Sequence, residues 1–166
     1  FRWEPTAGFM DPAAIASCDA VIHLAGAGIA TGRWTASRKA EIMESRRAGT
    51  RLIAAAIARA VPPPRVFICA SAVGYYGDRG DEVLTEESGP GTGFLAEVVR
   101  AWEGETHEAA QVGVRVIQLR LGLVLSRHGG ALPRLALPFR LGLGGPIGGG
   151  RQWTSWIAID DLVRVF

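Results

Sequence analysis

The stretch Val66-Phe67-Ile68-Cys69-Ala70-Ser71-Ala72-Val73-Gly74-Tyr75-Tyr76-Gly77 decides the fold of this chain. It begins as an apolar run of strand length, stops at Ser71, and continues with two tyrosines and two glycines. A continuous apolar run is typical of a buried parallel strand, and ligands of open α/β sheets bind beyond the carboxyl ends of such strands. We therefore predict that Ser71, Tyr75 and Tyr76 lie where ligand chemistry occurs. The alternative is that Ser71 caps the next segment and the tyrosines pack under a loop.

Strands and helices alternate along the chain on both sides of this stretch. Apolar runs predict strands over 19–24, 66–70, 114–119 and 156–159, and helical periodicity predicts helices over 35–60, 94–111 and 132–141. Val61 precedes three prolines that end the first helix, because proline cannot continue one. Asp160 is placed to cap a final helix. This alternation indicates βαβ units, so the sequence predicts an α/β fold with a mostly parallel sheet.

The composition is that of an ordinary globular domain. The chain has 166 residues, of which 48% are hydrophobic and 20% charged, with a formal net charge of +2. This charge is too small to draw the chain to nucleic acid or to a membrane. There is no signal peptide and no apolar run long enough to span a bilayer, so we expect a cytoplasmic protein. The sequence begins without methionine and ends inside a predicted helix, so we expect a fragment of a longer protein.

The cysteines and histidines predict neither a disulfide framework nor a metal site. Cys18 and Cys69 are the two cysteines, and neither has metal-ligand spacing with a histidine. Cys69 lies in the apolar run and is expected to be a small core residue. His23 lies within another apolar strand, where we predict a core histidine that is hydrogen-bonded.

Two glycine-rich stretches follow predicted elements. Residues 26–32 follow a strand, but their third glycine does not fall at the spacing of the dinucleotide fingerprint, so we predict a close backbone approach to a ligand there. Residues 141–150 are typical of a mobile surface loop rather than a phosphate cradle. The residues 151–156 come next and could bind a polar or nucleotide-like ligand by stacking and hydrogen bonding. Trp156, at a strand start, is expected in the core.

Six stretches of the chain match one known family in order and spacing. They are residues 19–27, 45–50, 70–78, 94–97, 119–125 and 153–161. With these stretches the chain resembles the atypical extended short-chain dehydrogenases/reductases, and more closely the group of NAD(P)-dependent nucleoside-diphosphate-sugar epimerases. The resemblance lacks two parts of that family: the first βαβ unit, which carries the pyrophosphate glycines, and the C-terminal substrate-binding part.

The resemblance implies a Rossmann-like, doubly wound and incomplete sheet that binds NAD(P), with NADP expected. It implies a small-molecule substrate, either a carbonyl or alcohol or a sugar nucleotide. It also implies cofactor contacts at the ends of three strands. These residues are Leu24, Ala25 and Gly26 at the nicotinamide-side ribose and phosphates, Ala70, Ser71 and Ala72 at the nicotinamide, and Arg120, Leu121 and Gly122 in the loop beside it. An exposed sheet edge would favour a homo-oligomer.

Catalytic relatives in this family use a serine, a tyrosine and a lysine, and the present chain departs from that pattern. Lys39 is its only lysine, and residues 94–100, which correspond to the motif helix, contain no tyrosine. Arg79 lies four residues after Tyr75, but in the wrong loop, and arginine is not equivalent to lysine. Arg46 stands where relatives carry asparagine.

Two hypotheses for the function therefore stay open. The first is an enzyme that acts by hydride transfer, with Ser71 orienting the reacting oxygen and Tyr76 or Tyr75 as the proton donor. The second is a non-catalytic NAD(P)H-binding sensor or scaffold protein, which the missing tyrosine–lysine pair favours. Binding of another nucleotide without any redox role is a third possibility.

Overall fold

The computed structural model describes residues 1–146 and 148–166, which form two compact units. The first unit comprises Phe1–Gly77 and Gly89–Arg120, and the second comprises Asp78–Ser88 and Leu121–Phe166. Ile147, within the second glycine-rich stretch, lies outside the described residues.

The first unit is built on a sheet of three strands with helices packed against it. Its elements in chain order are β1 (Trp3–Glu4), β2 (Phe9–Met10), α1 (Ala13–Ala16), β3 (Ala20–His23), α2 (Ala36–Arg59), β4 (Val66–Ala72), α3 (Phe94–Gly104), α4 (His107–Gln111) and β5 (Arg115–Leu121). Strands β1 and β2 pair antiparallel, and the sheet order is β3-β4-β5. Strands β3 and β4 are parallel, with His23 opposite Cys69. The predicted α/β fold is thereby confirmed.

Strand β4 is the centre of this sheet, and its burial explains its apolar sequence. Five consecutive residues of the strand are buried, and Phe67 and Cys69 are 0% and 1% exposed. Helix α3 contacts both β4 and α2, and it buries Val98 and Val99. Burial of this apolar run brings the end of β4, and with it Ser71, to the carboxyl edge of the sheet.

The second unit contains a smaller sheet. Its elements are β6 (Leu123–Ser126), β7 (Gly129–Gly130), α5 (Ala131–Arg140), β8 (Trp156–Ala158) and α6 (Ile159–Val165). The sheet order is β7-β6-β8, in which β6 pairs antiparallel with β7 and parallel with β8. The predicted helix at 132–141 and the predicted strand at 156–159 are both present, each within one residue of its expected ends.

Several predicted boundaries differ from those observed. The single helix expected over 94–111 is two helices, because the backbone oxygen of Glu103 accepts hydrogen bonds from the Thr106 hydroxyl and the Gln118 amide at 2.8 and 2.9 Å. Strand β5 continues two residues beyond its expected end and includes Arg120. Asp160 lies in the first turn of α6, where its carboxylate complements the helix dipole, and the N-cap is Ala158.

His23 is buried without the hydrogen bond that we expected for its ring. The side chain is 3% exposed, and its Nε2 has no hydrogen-bond partner within the described residues. The ring of Trp3 meets it edge-on at 5.9 Å, and a Cβ on Gly49 would lie 3.6 Å from Nε2. Burial therefore lowers the pKa of His23 from 6.5 to about 4, so the imidazole is neutral in the folded chain.

We expect this histidine to make the fold sensitive to mild acid. Because its folded pKa lies below its unfolded pKa, the unfolded chain takes up the proton first, and stability present above pH 6.5 is lost as the pH falls toward 4. The free energy of unfolding should fall by about 2 kcal/mol between pH 7 and pH 5. Urea titrations at the two pH values measure this loss.

The matched variants for this experiment are His23→Gln and His107→Gln. The first should flatten the pH dependence over this range, whereas the second, at an exposed position, should keep the wild-type slope. A His23→Gln slope equal to that of the wild type would contradict the assignment.

Candidate functional site

Strand β4 runs into a tight turn that carries both tyrosines. This 3-10 turn spans Val73–Tyr76, and the N–H of Gly91 donates to the backbone oxygen of Tyr75 at 2.9 Å. A Cβ on Gly91 would overlap the carbonyl group of Tyr76. Gly77 follows with φ 66°, in the left-handed region that favours glycine. The two glycines thus hold the backbone that presents Tyr75 and Tyr76.

A carboxylate and a guanidinium link this turn to the rest of the first unit. The Ser71 hydroxyl donates to Oε1 of Glu103 at 2.5 Å. Arg120 donates from Nε to Oε1 and from Nη2 to Oε2 of the same carboxylate, both at 2.9 Å. The remaining terminal nitrogen of Arg120, Nη1, donates to the Tyr76 hydroxyl at 3.0 Å. One hydrogen-bonded network therefore joins β4, α3, β5 and the tyrosine turn.

The guanidinium of Arg120 also lies against both tyrosine rings. Its central carbon is 3.5 Å from the ring centroid of Tyr75 and 5.2 Å from that of Tyr76. The two rings meet edge to face, with their centroids 5.3 Å apart. A cation over an aromatic face is attracted by the ring quadrupole. The structure thus brings the three predicted catalytic residues Ser71, Tyr75 and Tyr76 into one cluster with Arg120.

The charges in this cluster are largely removed from solvent. The side chains of Glu103 and Arg120 are 10% and 19% exposed. The hydrogen bonds from Arg120 to Glu103 raise the pKa of the guanidinium, with a smaller contribution from its contact with Tyr76, so Arg120 carries its charge at every working pH. Desolvation of such a pair is costly, and bidentate geometry is what offsets that cost.

The loop that follows β3 is fixed by side chains of α2. Arg46 Nη1 donates to the backbone oxygen of Ala27 at 3.0 Å, and the Ala27 N–H donates to the Ser45 hydroxyl at 3.1 Å. Arg38 donates to the backbone oxygen of Gly28 and, at 2.6 Å, to the Thr31 hydroxyl. The loop is therefore ordered before any ligand arrives.

Gly26 is needed in this loop because Arg46 lies close to it. A Cβ at Gly26 would lie 3.3 Å from the guanidinium carbon of Arg46, and the Arg46 guanidinium lies 5.1 Å from the Trp102 ring centroid. Burial lowers the pKa of Arg46, with a smaller effect from the charge of Arg38. Arg46 thus supports the loop backbone.

The residues predicted to contact the cofactor differ in exposure. Leu24 is 59% exposed, Ala25 is half-buried, and Gly26 is exposed. In β4, Ala70 and Ser71 are buried, and Ala72 is half-buried.

The third predicted group does not form the loop that we expected. Arg120 and Leu121 are the last two residues of β5, and Leu121 and Gly122 belong to the second unit. The Arg120 side chain is engaged by Glu103 and Tyr76. At Gly122, a Cβ would overlap the backbone of Ser155, and the Leu123 N–H donates to the Ser155 oxygen at 2.8 Å. A close backbone approach within the second unit therefore explains the glycine at position 122.

The second unit presents two exposed tryptophans. Trp153 is 81% exposed, and its indole N–H donates to the Asp81 carboxylate at 2.7 Å. Trp156 is 63% exposed, so the expectation that it lies in the core is wrong within this chain.

Glu103 is the residue of this cluster that the sequence analysis missed. A polar side chain at the end of a buried strand requires a partner, and Ser71 signals that need. Helical spacing offers the partner, because Glu103 lies four residues after the buried Val99, on the same face of α3. The two signals together could have identified the pair.

The described residues contain no group of three or more His, Cys, Asp or Glu side chains arranged to hold a metal ion. None of their helices combines the length and apolar character needed to cross a membrane.

Comparison with known proteins places this chain in one family. Residues 10–166 match the NAD dependent epimerase/dehydratase family, and the chain belongs to that family. This membership confirms the resemblance, the Rossmann-like fold and the nicotinamide dinucleotide as the cofactor class of the family.

Individual relatives are similar along nearly the whole chain. The epimerase family protein Mb2239 of Mycobacterium bovis is 44% identical over 163 residues, which are 98% of this chain and 54% of the relative. The crystal structure of the nucleoside-diphosphate sugar epimerase from Corynebacterium glutamicum has a TM-score of 0.85 and 43% identity, covering 99% of this chain and 34% of that one. The human epimerase family protein SDR39U1 (isoform 2), solved with NADPH, has a TM-score of 0.83 and 39% identity. The match covers 88% of this chain and 50% of that one. The chain spans about half the length of the curated relatives it matches.

We expect a side chain at Gly91 to destabilise the turn that carries Tyr75 and Tyr76. In Gly91→Ala the new Cβ must displace the Tyr76 carbonyl, so the variant should lose about 1–3 kcal/mol of stability. Thermal unfolding measures this loss. Gly89→Ala is the control, because nothing lies within 4 Å of a Cβ there, and its midpoint should stay near that of the wild type. Equal midpoints for the two variants would show that the close contact does not constrain the turn.

Proposed function

We propose that this chain forms the catalytic part of an NAD(P)-dependent epimerase- or reductase-type enzyme. Its substrate would be a sugar nucleotide or a small carbonyl or alcohol, and the reaction would proceed by hydride transfer. The observation that carries this proposal is the hydrogen bond from Arg120 Nη1 to the Tyr76 hydroxyl. Because that oxygen accepts a hydrogen bond from Arg120, its own proton is available for donation to a substrate oxygen.

The ends of β3 and β4 fit a nicotinamide dinucleotide. The loop after β3 exposes Leu24 and Gly26, and α2 holds the next residue, Ala27, by its backbone. Residues 70–72 are small enough to let a planar ring approach the end of β4. When bound, the cofactor would supply or accept the hydride. NADP is favoured over NAD because the human relative, 39% identical, was solved with NADPH.

The roles of the three predicted catalytic residues follow from their contacts. Tyr76 is the preferred proton donor, and Tyr75 is the alternative, since its ring lies on the same guanidinium. The hydroxyl proton of Ser71 is donated to Glu103, so its oxygen would orient a substrate hydroxyl by accepting a hydrogen bond. A sugar nucleotide is the favoured substrate class, because the relative from Corynebacterium glutamicum is described as a nucleoside-diphosphate sugar epimerase.

A non-catalytic NAD(P)H-binding protein is the second candidate. The observation that favours it is Phe94, the first residue of α3, which belongs to the stretch where catalytic relatives carry tyrosine and lysine. The only lysine of the chain, Lys39, lies with its ammonium 5.2 Å from the Phe94 ring centroid rather than beside a phenol. Self-association through the edge strand β3 stays a prediction under either candidate.

Substitution of the two tyrosines separates the candidates. With protein expressed from its complete reading frame, Tyr76→Phe should lower kcat by about 100- to 10,000-fold, because the phenolic proton is lost. Its Kd for NADPH should be unchanged, and steady-state turnover of sugar nucleotides and small carbonyls measures the loss.

Tyr75→Phe is the matched control for that experiment, since it keeps the aromatic ring under Arg120 and removes only the hydroxyl. It should retain most of the activity. If Tyr75→Phe carries the loss instead, Tyr75 is the donor. Tight NADPH binding with no turnover of any substrate would support the sensor or scaffold.

A further inference from the structure

The contacts of Arg120 divide into two sets that have different consequences. Nε and Nη2 bind both oxygens of Glu103, whereas Nη1 binds the Tyr76 hydroxyl. A guanidinium is planar and rigid, so two bonds to one carboxylate fix the direction of its third nitrogen. Glu103 therefore determines where Nη1 points, although it does not touch the tyrosine itself.

We propose that Arg120 is the cation that activates Tyr76 in this chain, and that Glu103 is the positioning residue that aims it. Arg120 would take the role for which other family members use a lysine on the motif helix. The inference rests on the proposed function, because it assigns a task to Tyr76 in the reaction. It also accounts for a sequence in which the only lysine, Lys39, lies against Phe94.

The chemistry of this assignment balances without any further reactant. The carbonyl carbon of the substrate would take up a hydride, which the bound cofactor would supply. The electron pair of the C=O double bond moves to the oxygen, which takes the Tyr76 proton and becomes a hydroxyl. Tyr76 is left as a phenolate beside the Arg120 guanidinium and regains a proton from solvent. The oxidative direction is the reverse. A fixed cation at 3.0 Å stabilises the negative charge that develops on the phenol oxygen.

Glu103 is itself held on both its side chain and its backbone. Its carboxylate accepts the Ser71 hydroxyl in addition to Arg120. Its backbone oxygen accepts the Thr106 hydroxyl and the Gln118 amide. The side chain of Glu103 is therefore held by β4 and β5, and its backbone oxygen by β5 and by the turn between α3 and α4. These elements of the first unit set the direction of the Arg120 guanidinium.

Chemical rescue tests this assignment directly. In protein from the complete reading frame, Arg120→Ala should lower kcat about 100-fold or more while the NADPH Kd changes less than about 2-fold. Added guanidinium ion should restore at least about 10-fold of that loss by occupying the vacated space. The rescue should be absent from the Arg120→Ala/Tyr76→Phe double variant, because the Tyr76 hydroxyl that the cation would activate is gone.

The control for rescue is Arg51→Ala. Arg51 also pairs with one carboxylate through two nitrogens, at Glu105, but it is exposed and lies outside the cluster. The activity of the Arg51→Ala variant should match that of the wild type and should not change when guanidinium ion is added. Arg120→Lys is the second variant, in case the alanine variant does not fold. Lysine keeps the charge, but its single ammonium cannot bind both oxygens of Glu103 and the Tyr76 hydroxyl at once, as the guanidinium does. The kcat of this variant should therefore also fall, without change in KM.

A turnover-independent measurement separates failure of this inference from failure of the proposed function. In the complete protein labelled with 3-fluorotyrosine, the ¹⁹F resonance that disappears in Tyr76→Phe is that of Tyr76, and it reports on the contact with Arg120. Glu103→Gln and Arg120→Lys should both shift the Tyr76 resonance. If the wild-type protein shows no turnover but both variants shift the Tyr76 resonance, the proposed enzymatic function is refuted and the positioning contact is retained.

Two results would overturn the inference whatever the activity. The first is a Tyr76 resonance that is unchanged in both Glu103→Gln and Arg120→Lys. The second is a folded Arg120→Ala variant with wild-type kcat, or one that guanidinium rescues equally well when Tyr76 is phenylalanine.

Discussion

The bidentate ion pair between Glu103 and Arg120 is the interaction on which the candidate site depends. It joins α3 to β5. Its carboxylate accepts a hydrogen bond from Ser71 at the end of β4, and its guanidinium donates one to the Tyr76 hydroxyl. Loss of one partner would leave an unpaired charge in a largely desolvated place, at a cost of about 3–5 kcal/mol for a fully buried pair. Stability and the geometry of the two tyrosines therefore depend on the same contact.

Much of the fold could be predicted from the sequence because its signals are local. The apolar run that forms β4 and the prolines that follow α2 each act through neighbouring residues. The break after α3 could not be predicted in this way, because it depends on Gln118 reaching the Glu103 backbone from another element. The buried, unpartnered Nε2 of His23 was missed for the same reason, since Trp3 and Gly49 come from distant parts of the chain.

The candidate site was predictable in its position but not in its connections. The end of a buried strand marked Ser71, Tyr75 and Tyr76. The structure places both tyrosines against one guanidinium, and Ser71 on the carboxylate that pairs with it. Arg79 has the motif spacing from Tyr75 but lies in the wrong loop, and in the structure it pairs with Glu82 on an exposed turn. The cation that contacts the tyrosines comes from β5, 44 residues after Tyr76. Membership of the epimerase/dehydratase family is thus compatible with a site whose cation has a different origin in the chain.

A crystal structure of the complete protein with NADPH tests the central claim most directly. The account predicts a nicotinamide ring against Ala70, Ser71 and Ala72, with the Tyr76 hydroxyl on the side from which a substrate oxygen would approach, and with the Glu103–Arg120 pair intact. It also predicts room for a substrate carbonyl at about 3–3.5 Å from the reacting groups. A nicotinamide bound away from the end of β4, or a Tyr76 hydroxyl turned from it with Arg120 bound elsewhere, would contradict the account.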